Sequence, residues 1–170
     1  MLKGEAFFDI QKSRIPFEVI SGSERIRVLG TAFNVLAYSE SGFVTTLVRG
    51  SVEINSENGH QRLTLQPGQQ VRMVGDSLVK SKVETELFTS WKDGKMIFKR
   101  EPFPNLMKRL ERWFNVKIEY EPDKFKDLWY SGTIENETIT EVMEMVGTAA
   151  PVRFTFDSRT RIIKVMPRKK

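Results

Sequence analysis

WKDGKMIFKREPFPNLMKRLERWFNVKIEY, running from Trp91 to Tyr120, is the stretch that decides the fold. Phe103, Leu106, Met107, Leu110, Trp113 and Phe114 recur at helical spacing, while Lys108, Arg109, Glu111 and Arg112 fill the opposite face, so the spacing predicts an amphipathic helix. Pro102 and Pro104 suit its first turn, where a missing N–H has no intrahelical partner to lose. Before the helix, Met96 and Phe98 alternate with Lys95, Ile97 and Lys99; after it, Val116, Ile118 and Tyr120 alternate with Lys117 and Glu119. Period two on both flanks predicts strands with one buried face, and the unit reads β-α-β.

Downstream the same plan recurs. Leu128–Ile134 reads as a strand, and Thr138 with Glu141 forms a Ser/Thr-x-x-Glu capping box opening a helix with Ile139, Val142, Met145, Val146 and Ala149 as its apolar stripe. Gly147 weakens the last turn of that helix and Pro151 ends it, after which Val152–Phe156 and Arg161–Met166 read as strands. Neither half can cover its helix alone, so both stripes are expected to bury against shared sheets.

Upstream the chain changes character. Ala6/Phe8/Ile10, Phe17/Val19, Ile26/Val28, Phe33/Val35/Ala37, Val44/Thr46, Val52/Ile54, Leu63/Leu65 and Val71/Met73 are short alternating runs punctuated by Gly and Pro, the pattern of an antiparallel sandwich or barrel. Asn58-Gly59 predicts a tight hairpin turn between Ser51 and Leu65. The expected fold class is therefore α+β: an all-β domain at residues 1–86, then a small β-α-β/β-α-β-β domain at 87–170, with the connection around Val83–Ser90. Charge supports this division. Lys plus Arg balance Asp plus Glu up to Ser90, and the whole net charge of +5 arises from Trp91 onward.

Chemistry is scarce. There is no cysteine, and the single histidine, His60, falls in the expected hairpin turn, so no nucleophile–base set or zinc site can be assembled. Glu84/Glu86 and Glu119/Glu121 are carboxylate pairs at strand spacing, common on surface strands, and Gly30, Gly42 and Gly50 form no phosphate-cradling loop before a helix. No catalytic residue, metal or cofactor is expected. No window reaches the roughly 18 apolar residues needed to cross a bilayer. What remains is a binding module. Its basic residues mix with Glu101, Glu111 and Glu119 and follow no nucleic-acid recognition pattern, so no nucleic acid is expected.

GEAFFDI at Gly4–Ile10, PFEV at Pro16–Val19, VLGTAFNVLAY at Val28–Tyr38, TTLVRGSVEI at Thr45–Ile54 and LQPGQQV at Leu65–Val71 resemble the successive signatures of the FecR family of anti-sigma regulators. From Trp91 on, the chain resembles the C-terminal domain of Bacteroidetes-type FecR proteins, with W-[FY]-[ND]-V-x-I at Trp113–Ile118 and F/Y-S-G-T at Tyr130–Thr133. That domain is similar to the short N-terminal domain of secretins and TonB-dependent transducers. The resemblance implies a periplasmic sensor that receives a signal from the N-terminal signalling domain of an outer-membrane TonB-dependent transporter. Contact with a sigma factor would run through a cytoplasmic segment, which together with a membrane helix is absent from this sequence; the chain then reads as a periplasmic fragment of an inner-membrane protein. Strands missing before Gly4 would leave a raw sheet edge at Ala6–Ile10, open to a homodimer.

Two sheet edges, Val116–Tyr120 and Ile162–Met166, are expected to accept a partner strand. The candidate contact residues are Val116, Ile118 and Tyr120, with Lys99, Arg100, Lys108, Arg109 and Arg112 steering an acidic partner. The competing reading is a carbohydrate-binding or scaffold sandwich of the cell envelope, prompted by Phe7, Phe8, Phe33, Tyr38, Trp129 and Tyr130.

Overall fold

The computed structural model describes residues 1–39, 42–56 and 62–168. The Asn58-Gly59 turn, His60 and the last two residues of the basic tail, Lys169 and Lys170, lie outside the described residues. The chain divides into two compact units, Met1–Asp93 and Gly94–Lys170. No described helix is long and apolar enough to cross a membrane.

In the first unit, the short alternating runs become β1(Gly4–Asp9), β2(Phe17–Ser21), β3(Glu24–Val28), β4(Ala32–Tyr38), β5(Gly42–Arg49), β6(Val52–Ser56), β7(Arg62–Leu65), β8(Gln69–Val74) and β9(Ser77–Lys82). They pair antiparallel into two sheets, β1-β4-β5-β8-β9 and β2-β3-β6-β7. Ile26, Val52, Ile54 and Leu65 of the smaller sheet share one core with Phe33, Val35, Leu47 and Val71 of the larger. The phase of β5 differs from the sequence reading. Phe43 and Leu47 enter the core, not Val44, because that phase buries the larger apolar pair. Thr46 lies on the opposite face, where its hydroxyl oxygen accepts from Gln70 Nε2 at 2.8 Å. Among the described residues β1 is an edge strand, paired with β4 alone.

After β9 the chain does not run free. α1(Glu86–Thr89) and a 3₁₀ turn at Ser90–Asp93 follow, with Thr89 and Ser90 buried. Trp91 Nε1 donates to Asn34 Oδ1 at 3.1 Å, Asn34 Nδ2 donates to Glu5 Oε1 at 2.8 Å, and Lys92 Nζ stands 5.3 Å from the centre of the Phe7 ring. An aromatic N–H and a cation thus fasten this segment to β1 and β4, and the chain passes into the second unit at Gly94.

The second unit contains β10(Met96–Pro102), α2(Phe103–Phe114), β11(Lys117–Glu119), a 3₁₀ turn at Pro122–Lys124, β12(Trp129–Ile134), α3(Ile139–Ala149), β13(Val152–Asp157) and β14(Ile162–Pro167). Its halves interleave: β10 pairs antiparallel with β12, and β11 pairs parallel with β14, which also pairs antiparallel with β13. The apolar stripe of α2 meets that of α3 in one core, centred on Phe103, which stacks on Phe125 at 4.8 Å and meets Tyr120 edge-on at 5.2 Å. The α3 stripe is shifted from the expected one. Val142, Met143, Val146 and Gly147 face inward, whereas Met145 is 46% exposed and Ala149 is exposed. Gly147 has a packing role: a Cβ there would lie 3.2 Å from Val152 O, so its absence lets α3 approach β13 closely.

Candidate interaction surface

The edge of β11 is built by the way α2 ends. Asn115 takes the left-handed conformation, φ 50°, which Asn tolerates better than most side chains, and the Asn115 and Val116 N–H groups both donate to Glu111 O. Arg161, also at positive φ, returns from the other end of the unit: its Nε donates to Asn115 O at 2.7 Å and its Nη2 to Phe114 O at 2.6 Å. A guanidinium on the last carbonyls satisfies orphan acceptors and complements the negative end of the helix dipole. The chain then enters β11, where Lys117 N–H donates to Arg161 O at 2.9 Å, toward β14. Successive amides in a strand face opposite sides, so Ile118 N–H points to the open side. There it donates to Glu111 Oε1 at 2.7 Å.

That geometry separates the expected contact residues. β11 is an edge strand of the order β11-β14-β13. Ile118 is buried in the core and Val116 and Tyr120 pack partly buried against it; burial first, then the Glu111 charge, raises the Tyr120 pKa. The second expected edge is corrected. Ile162–Met166 lies in β14, the central strand, because β13 folds back on one side and β11 closes the other. Lys108 is exposed on α2, with Arg112 one turn on and half-buried. Arg109 turns inward: it donates to Glu101 Oε2 at 2.6 Å and Ile97 O at 3.0 Å, tying α2 to β10. The paired carboxylates are divided between lysines, Glu119 with Lys117 at 2.7 Å and Glu121 with Lys124 at 2.6 Å.

Lys99 and Arg100 lie exposed in a bulge of β10, where register slips between Phe98 and Glu101 and Arg100 has φ 46°. The bulge is pinned from β12. Arg100 N–H donates to Ser131 Oγ at 2.8 Å, and the Phe98 ring covers Gly132, where a Cβ would lie 3.1 Å from Cζ. Tyr130 is buried beside them, its hydroxyl donating to Val146 O at 3.3 Å. Trp129, at the start of the same strand, is 59% exposed.

A family model described as FecR protein matches residues 1–53, and one described as FecR, C-terminal matches residues 95–163. The chain belongs to the FecR family. Two crystal structures of a candidate anti-sigma factor from Parabacteroides distasonis, at 1.65 and 2.50 Å, are similar to it over 97% of this chain and 78% of that one, with TM-scores of 0.82 and 0.81 and 25% identity. No curated protein sequence matches. FecR proteins are regulators, and the signature residues of this FecR chain have identifiable physical work. In Val28–Tyr38, Gly30 permits a backbone crossing, Thr31 Oγ1 donates to Ser51 O at 2.9 Å, Phe33 is fully buried and Asn34 receives Trp91. In Trp113–Ile118 the Asn caps α2, and in Tyr130–Thr133 the Ser and Gly hold the bulge. Arg161 and Glu111, which fix the β11 edge from outside these signatures, escape sequence reading. Asn directly after the last apolar residue of α2 was the available signal for the cap.

Proposed function

We propose that this chain is the periplasmic signal-receiving region of a FecR-like transmembrane anti-sigma factor. In this reading it binds the N-terminal signalling domain of an outer-membrane TonB-dependent transporter and so controls an extracytoplasmic-function sigma factor. We assign it no catalytic role. The observation that carries the reading is the open side of β11 in a small β-α-β unit of an anti-sigma family. A partner domain can extend such a sheet with its own strand, main-chain hydrogen bonds giving affinity and side chains specificity. At β11 the partner's carbonyl would replace the Glu111 carboxylate on Ile118 N–H. Lys99, Arg100, Lys108 and Arg112 would steer an acidic partner, acting on the association rate more than on the final affinity; Arg109 would hold α2 in place. The open β1 edge offers a second copy a place to pair.

The test is capture of outer-membrane proteins from the source organism on the immobilised chain, beside a Lys108→Glu, Arg112→Glu bait. The expected result is capture of a TonB-dependent transporter through its N-terminal domain, about tenfold slower on the charge-reversed bait. A folded bait that captures no such transporter overturns the proposal.

A further inference from the structure

The first unit carries an open groove of about 750 Å³ that the reading above does not use. Gly30, Thr31, Gly50 and Ser51 are among its lining residues. Gly50, at φ 88°, approaches so closely that a Cβ would lie 2.6 Å from Gly30 O, and a Cβ on Gly30 would lie 2.6 Å from Lys12 Cα. Three chain segments cross there, at Lys12, Gly30 and Gly50, and all three residues line the groove. The adjoining loop is held in shape: Ile10 and Thr31 exchange both backbone hydrogen bonds, Ser13 N–H donates to Leu29 O at 2.7 Å, and Ile15 N–H donates to Ser13 Oγ at 3.0 Å.

The walls are basic. Lys12, Arg14, Arg27 and Arg62 line the groove, and Glu53 is the single carboxylate among the lining residues. Glu53 is already engaged, by Asn55 Nδ2 and by the Arg62 guanidinium, which together hold its carboxyl below the usual range. Arg27 stands between Glu18 and Glu53 across the strands. Lys12 and Arg14 form no ion pair among the described residues, so the unbalanced charge is theirs. Beside them Ile15 is 80% and Leu29 52% exposed, a water-facing apolar rim on a basic cleft.

We propose that this groove binds an extended acidic peptide segment, its carboxylates along Lys12 and Arg14 and an apolar side chain against Ile15 and Leu29. A groove with cations spread along it suits an extended chain laid into it. A flat lipid surface would reach the rim and leave the groove unfilled, and an uncharged small molecule would leave the cations unanswered.

The probe is a fluorescein-labelled peptide of alternating Asp and Leu, titrated into the full chain by anisotropy, with an Asn-for-Asp peptide and phosphatidylglycerol vesicles as comparisons. Saturable binding of the Asp peptide should weaken about tenfold between about 50 and about 300 mM salt. It should also weaken about tenfold in Lys12→Glu, Arg14→Glu, two exposed loop positions whose circular dichroism should stay unchanged. Lys108→Glu, in the other unit, should leave it intact, which separates this site from the β11 edge. Equal binding of the Asn peptide, indifference to Lys12→Glu, Arg14→Glu, or vesicle binding through these residues without peptide binding would each overturn the proposal.

Discussion

The two units reach a closed core by different means, and their weak points differ accordingly. The first is made of ladders: strands of four to eight residues in two antiparallel sheets, with its tightest constraint where backbone crosses backbone at Lys12, Gly30 and Gly50. The second is made of helix faces. Its sheets have two and three strands, β11 is only three residues long, and order comes from α2 and α3 and from what satisfies their ends. Damage to the first unit should come from adding atoms at a crossing. Damage to the second should come from emptying its aromatic centre or unfastening a helix end.

Phe103→Ala should have the largest effect. The ring is fully buried and lies within 6.1 Å of three other aromatic rings, so deletion leaves a cavity whose walls belong to α2, β12 and the Phe125 turn. A loss of about 3 to 5 kcal/mol in urea unfolding of the full chain is expected. A loss below about 2 kcal/mol would mean that the short strands collapse onto the gap and that helix faces do not dominate this unit. The counterpart in the first unit is Gly50→Ala, a gain of atoms. The added methyl meets Gly30 O at 2.6 Å in a conformation that L-residues avoid, and about 2 to 3 kcal/mol should be lost. A neutral Gly50→Ala would remove the crossing as the constraint on the first unit.

How much of this was legible depended on whether a residue's role is local. The apolar stripe of α2 was readable, since its residues and Pro104 act within a few positions. But Pro102, expected in the first turn, ends β10, and Arg109, expected on the outer face, turns inward to Glu101. The partners of the strands flanking α2 were not readable. Nothing within Met96–Pro102 or Lys117–Glu119 specifies β12 or β14, because pairing is chosen by the core that α2 and α3 form together. Hence Ile162–Met166, an ordinary alternating run, reads equally as edge or centre, and only the arrival of β11 makes it central. The phase of β5 turned on Phe43 and Leu47 outweighing Val44, and that of α3 on Met143 and Gly147 facing β13 while Met145 faces water. The candidate interaction surface was legible as a strand. The carboxylate of Glu111 on its outward amide, and the grip of Arg161 on residues 46 and 47 positions away, are products of the fold.

The smallest expected effect separates the units by acid sensitivity. In the second unit, Glu141 caps α3: its carboxylate accepts from the Thr138 N–H and hydroxyl, both at 2.8 Å, and these bonds hold its pKa below the ordinary value. Glu137 is held down by the N–H groups of its own neighbours, and Asp157 by Thr160 and Arg159. In the first unit only Glu53, among the described residues with a resolved shift, behaves this way. A carboxylate whose folded pKa is depressed stabilises the fold fully above its unfolded value, about 4.3 for Glu, and loses that contribution as pH falls through the lower folded value. Acidification should therefore lower stability below about pH 4.5, with α3 the first element to loosen. Because Glu141 is exposed, solvent keeps the effect small. Glu141→Gln keeps an acceptor for Thr138 but cannot titrate, so its melting temperature should lie below the parent's at neutral pH and converge with it in acid. Parallel curves at all pH values would mean that the capping carboxylate contributes no pH-dependent stability, and the helix ends of the second unit would then be no more acid-labile than the ladders of the first.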